Sequence, residues 1–135
     1  MEAGRESAGG LAGEEAIAAA DAGAGCAVRQ YEIWWADLPL PAGRRPVVLL
    51  SRDGAYAVRE RVIVGEVTTT IRSAPFEVPL GPAEGLPQRC VLNMDAIAVV
   101  GKARLSSRIG IVGAKKVPQV KRALGFALAW DELKV

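Results

Sequence analysis

Apolar residues in this chain fall in short runs separated by proline, glycine or charge, which is the pattern of strands rather than of long helices. Tyr31 to Leu38 is aromatic-rich and ends at Pro39-Leu40-Pro41-Ala42-Gly43, so it predicts a first strand and a break. Pro46 to about Arg52 contains Val47-Val48-Leu49-Leu50 and predicts a second, closed by the turn pair Asp53-Gly54. A third is expected from Arg61 to about Ile71 and a fourth from Phe76 to Leu80. The loop Gly81 to Pro87 follows, and then two short strands, Cys90 to Met94 and Ala96 to Val100. After that the period changes. Ser106 to Val112 predicts a helical turn with a serine cap. Lys116 to Leu133 predicts a helix, with Pro118 in the first turn and Val117, Val120, Leu124 and Leu128 (with Ala127) on one face. Short strands followed by one terminal helix point to a mainly-β (α+β) small barrel with a packed C-terminal helix.

The front of the chain does not share this patterning. Residues 1–27 are Ala, Gly and Glu with few large side chains, too little apolar surface to offset the entropy of ordering them. A disordered extension is expected there, and one domain over 28–135. The acidic start, with no apolar core behind it, does not read as a signal peptide. No apolar run approaches the ~18 residues of a membrane span. The chain has no histidine, and its two cysteines, Cys26 and Cys90, lack metal-site spacing. Reduced thiols in the cytoplasm are the simplest account, with no metal and no cofactor expected. Cys90, in an apolar context, reads as a core residue.

Charge divides at the same place. Residues 1–27 carry a net −4, and the remainder carries 16 bases against 10 acids, a net +6. A basic domain attracts polyanions such as nucleic acid, although ordinary solubilising charge would give the same count.

Local phrases narrow this. Glu32-Ile33-Trp34-Trp35-Ala36-Asp37-Leu38 and Gly43-Arg44-Arg45-Pro46-Val47-Val48-Leu49-Leu50-Ser51 come first. Val62-Ile63-Val64 with Thr68, then Val78-Pro79-Leu80-Gly81 leading to Gly85-Leu86-Pro87, come next. Val91-Leu92-Asn93-Met94-Asp95, Lys102, Leu105 and Ile109-Gly110 close the series. In this order and spacing, over about residues 29–130, the chain resembles the MazF/PemK toxins. The resemblance implies an SH3-like barrel of the MazF/PemK/CcdB kind that dimerises with a second copy. It also implies cleavage of single-stranded RNA at short sequences by the substrate's own 2′-hydroxyl, leaving a cyclic phosphate without metal, and inhibition by a cognate antitoxin.

Carried over residue by residue, Arg45 matches the family's catalytic arginine, whose planar fork suits a phosphate. Its neighbour Arg44 lies at a more variable position. Thr68 matches the catalytic threonine, whose hydroxyl could orient the scissile phosphate; alone, it would pass for a good strand former. Thr70, two residues on, is expected on the same side of the pleat as a helper, with Thr69 on the other. Asp95 matches an acid near the cleavage site of PemK-like members. Those members carry arginine where this chain has Asn93, so their acid–base pair is not expected and Asp95 is left as a polar contact or turn former. The loop Pro39 to Arg44 lacks the Glu-Gln pair of many members, and Tyr31 stands where glycine is usual. Trp34 and Trp35 alternate faces, so one should be core and the other partly exposed. A non-catalytic nucleic-acid-binding barrel, or a gyrase poison like CcdB, is the alternative; Arg45 plus Thr68 at family spacing favours the nuclease, and a gyrase poison would need neither.

Overall fold

The computed structural model describes residues 28–134; the expected extension over 1–27 lies outside them. Six strands form one antiparallel sheet: β1 Glu32–Asp37, β2 Arg44–Leu49, β3 Arg61–Thr68, β4 Glu77–Leu80, β5 Cys90–Gly101 and β6 Leu105–Ile111. A short helix, α1 Ala55–Val58, joins β2 to β3, and a longer one, α2 Val117–Leu128, follows β6. The strand order is β4-β5-β3-β2-β1-β6. The sheet curls into a half-barrel with a core on each face, and the expected mainly-β barrel class with its C-terminal helix is what is observed.

One core gathers Trp34, Ala36, Val47, Leu49, Val62, Val64 and Leu105 around Tyr56 of α1. The other gathers Ile33, Val48, Val67, Leu92 and Met94 under Val120 and Ala123 of α2. Alternation along each strand divides its residues between the two faces, so the apolar runs read as continuous because both faces are covered. Trp34 is buried and donates its indole N–H to Glu32 Oε1 at 3.0 Å, while Trp35 on the other face is half-buried. Cys90 is buried among apolar side chains, and burial pushes its thiol up from its ordinary value.

Three expectations need correction. Ser106 to Val112 is not a helical turn: Leu105–Ile111 is strand β6, paired with β1 from Glu32–Ile111 to Ala36–Leu105. The buried backbone of β1 needs hydrogen-bond partners on both edges, and that long-range requirement overrides a local serine cap. The two strands expected over 90–94 and 96–100 are one strand carrying a bulge. Gly65 pairs with Ile97 while the next residue, Glu66, pairs with Asn93, so Met94, Asp95 and Ala96 are extra on β5. Helix α2 ends at Leu128 rather than Leu133, with Ala129 left-handed at φ 56°. Its covered face turns toward Val120, Ala123, Leu124 and Ala127, and Leu128, in the last turn, is 45% exposed.

Candidate RNA-cleaving site

The first core does not close over the whole face of the sheet. Beyond Val47 and Val64, the same face of β2 and β3 continues into side chains that are polar: Arg45 on β2, then Glu66 and Thr68 on β3. With Asn93 and Ala96 from β5, and Thr70 and Arg72 from the segment after β3, they line an open hollow of about 250 Å³. The β5 bulge lies on its rim, and bulges are a common means of turning a side chain toward a site.

Arg45 is held from two sides. Its Nε and Nη2 both donate to the Ala42 carbonyl at 3.3 Å, and its Nη1 donates to Glu66 Oε1 at 3.3 Å. The loop before β2 therefore positions the guanidinium through its backbone. A guanidinium has five N–H donors. Three are engaged here, leaving one on each terminal nitrogen for further acceptors such as phosphate oxygens. The side chains of Arg45 and Glu66 are 30% and 22% exposed, so their ion pair is partly sheltered from solvent screening.

Thr68 ends β3. Its Oγ1 accepts the backbone N–H of Thr70 at 3.1 Å, which leaves the hydroxyl proton to be donated elsewhere. Thr70 lies past the end of the strand, so it reaches the hollow by this turn and not by the pleat. Asn93 Oδ1 accepts the Asp95 backbone N–H at 2.8 Å, which ties the start of the bulge and leaves the amide NH₂ unspent.

Of the residues named from sequence, Arg45, Thr68, Thr70 and Asn93 meet in the hollow. Asp95 is exposed on the bulge and does not line it. Arg44 points to the other face of β2, where its guanidinium stacks over Trp35 at 4.8 Å and donates to Ser106 Oγ at 3.3 Å. Glu66 and Arg72 were not anticipated. A sequence cue for Glu66 existed, because it lies two residues before Thr68 and so on the same face. For Arg72, in an irregular segment, there was none. Among the described residues no group of three or more His, Cys, Asp or Glu side chains is placed to hold a metal ion.

Comparison with known proteins places this half-barrel in a class of small toxin domain. Residues 29–128 match the PemK-like, MazF-like toxin of type II toxin–antitoxin systems, and the chain belongs to that family. It is 38% identical over 98 residues to the probable endoribonuclease MazF5 of Mycobacterium tuberculosis, covering 72% of this chain and 89% of that protein. Among solved structures, Mycobacterium tuberculosis toxin MazF-mt6 superposes with a TM-score of 0.69 at 31% identity, covering 73% of this chain and 96% of the other. A mycobacterial endoribonuclease in complex with its cognate antitoxin gives a TM-score of 0.67 at 26% identity, covering 77% and 97%.

Proposed function

We propose that this protein is a toxin endoribonuclease that cuts single-stranded RNA, such as mRNA in the cytoplasm, at short sequences without a metal. The substrate's 2′-hydroxyl attacks the adjacent phosphorus and leaves a 2′,3′-cyclic phosphate. The observation that carries this reading is Arg45: anchored by Ala42 and Glu66, it keeps one N–H on each terminal nitrogen unengaged and lines a hollow that also holds Thr68. Such a fork can grip two phosphate oxygens and offset charge as it builds on them. The hydroxyl of Thr68, with its oxygen already engaged by Thr70, would donate to the same phosphate and fix its orientation. Asn93 and Arg72 would hold flanking polar groups of the RNA, and a cognate antitoxin would inhibit by covering this hollow.

The reading is tested by incubating the full chain with a mixed-sequence RNA in excess chelator and mapping the ends produced. Cleavage with cyclic phosphate and 5′-hydroxyl ends is expected. Activity that vanishes in chelator and returns with magnesium would overturn the metal-free chemistry, and binding without cleavage would favour the non-catalytic barrel.

A further inference from the structure

If the 2′-hydroxyl is the nucleophile, some group must take its proton, and the sequence holds no histidine to do so. The site as read from sequence leaves that role empty. Arg45 carries a guanidinium, a donor with no acceptor site, Thr68 and Thr70 are hydroxyls, and Asn93 is an amide. Asp95 is outside the hollow. Among the described residues that line it, Glu66 is the single carboxylate.

Its surroundings suit the task. Glu66 Oε1 binds Arg45 Nη1 at 3.3 Å, and Oε2 takes no hydrogen bond from any of the described residues. The 2′-oxygen of a nucleotide lies next to its own 3′-phosphorus. A phosphate gripped by the free fork of Arg45 therefore brings the 2′-hydroxyl beside the anion that shares that guanidinium. The guanidinium, lying between carboxylate and phosphate, offsets the repulsion that two anions in one hollow would otherwise feel. The charged neighbours are Arg45 from β2 and Arg72 from the segment after β3; β5 contributes only the neutral Asn93 and Ala96.

Resting on the nuclease reading above, we propose that Glu66 is the proton acceptor of the cleavage step. Its free oxygen takes the 2′-hydroxyl proton as the 2′-oxygen bonds to phosphorus. The bond from phosphorus to the 5′-oxygen breaks, its electron pair leaves with that oxygen, and the oxygen takes a proton from water. Glu66 then returns its proton to solvent.

The test is single-turnover cleavage of one RNA from acid to neutral pH by wild type, Glu66→Gln and Glu66→Asp. Binding is measured alongside on the same RNA carrying a single 2′-deoxy position at the cut. Glutamine can still accept the Arg45 hydrogen bond but cannot take up a proton. Glu66→Gln should lose about 10²–10⁴-fold in rate, the usual scale of general-base help. It should bind the deoxy RNA as wild type does and lose the wild-type fall in rate toward acid. Glu66→Asp should keep that fall at a reduced rate. If Glu66→Gln keeps the acid fall, whatever its rate, or binding drops in step with cleavage, Glu66 only positions Arg45 and the proposal is overturned. If wild type itself cuts no RNA, the nuclease reading fails first, and the role of Glu66 goes with it.

Discussion

Arg45 and Thr68 are separated by 23 positions in sequence, and antiparallel pairing of β2 with β3 brings both to one hollow. Each has one side of its polar group spent on holding position and the other left over, the condition for preorganised stabilisation of charge. Arg45→Ala should therefore lower single-turnover RNA cleavage by about 10²–10³-fold while the fold survives, since the residue is half-buried at the head of a strand. Arg45→Lys should recover little, because an ammonium cannot reproduce the fork. Thr68→Ala should cost less and Thr68→Ser should retain most of the rate, while Arg44→Ala, on the other face, should leave cleavage near wild type. A wild-type rate in Arg45→Ala would move the chemistry elsewhere. The order of the local phrases makes Arg45 and Thr68 legible in the sequence, because both sit inside matched segments. Glu66 was not legible in the same way. One acid in Val64-Gly65-Glu66-Val67 looks like a solvated strand position, and its partner became visible only when β2 was laid beside β3.

Elements were legible where the signal is local and lost where pairing partners decide. The β-branched runs of β2 and β3 and the first turn of α2 carry their own signal, although β2 ends at Leu49 and β3 at Thr68 rather than near Arg52 and Ile71; β6 does not, because its reason for being a strand is the bare edge of β1. The bulge in β5 was half visible: the break near Asp95 was read as a gap between strands, since nothing local says that three residues can be looped out without ending the pairing. Two phrases that carried the family resemblance, Gly85-Leu86-Pro87 and Ile109-Gly110, turn out to meet. Gly85 is left-handed at φ 94°, and a Cβ on Gly110 would fall onto the Glu84 carbonyl oxygen, so the turn at Pro82–Glu84 packs backbone to backbone on β6. Glu84 is fixed there by Lys116 at 3.0 Å, which also donates to the Pro79 carbonyl at 2.8 Å. Gly110→Ala should therefore destabilise by about 1–3 kcal/mol through overpacking. Gly113→Ala, where an added Cβ meets nothing within 4 Å, should be near neutral. Urea melts of the two variants would check this. Equal midpoints would mean that the turn simply moves aside.

At the scale of the whole molecule, a stripe of aliphatic side chains on the sheet lies partly exposed. Ile63 and Val99 are directly paired across β3 and β5, and Ile97 precedes Val99 by two, so the three side chains share one face of the sheet. They are 44%, 52% and 37% exposed, beyond the reach of α2. Isolated exposed aliphatics are ordinary, but a contiguous stripe of them on a sheet face is a candidate contact surface. A domain of this size also gains proportionally from further burial, because small folds leave much of their surface wet. We propose that the partner is a second copy related by a two-fold axis, as the family resemblance implies, for which a self-complementary stripe is the simplest contact. We expect equilibrium sedimentation at micromolar concentration to give twice the chain mass. Val99→Asp combined with Ile63→Asp should shift it to one chain mass, because two carboxylates per copy would have to be buried facing their counterparts. A double variant that stays dimeric would place the contact on another face, and a wild-type monomer that cuts RNA would show that one hollow suffices.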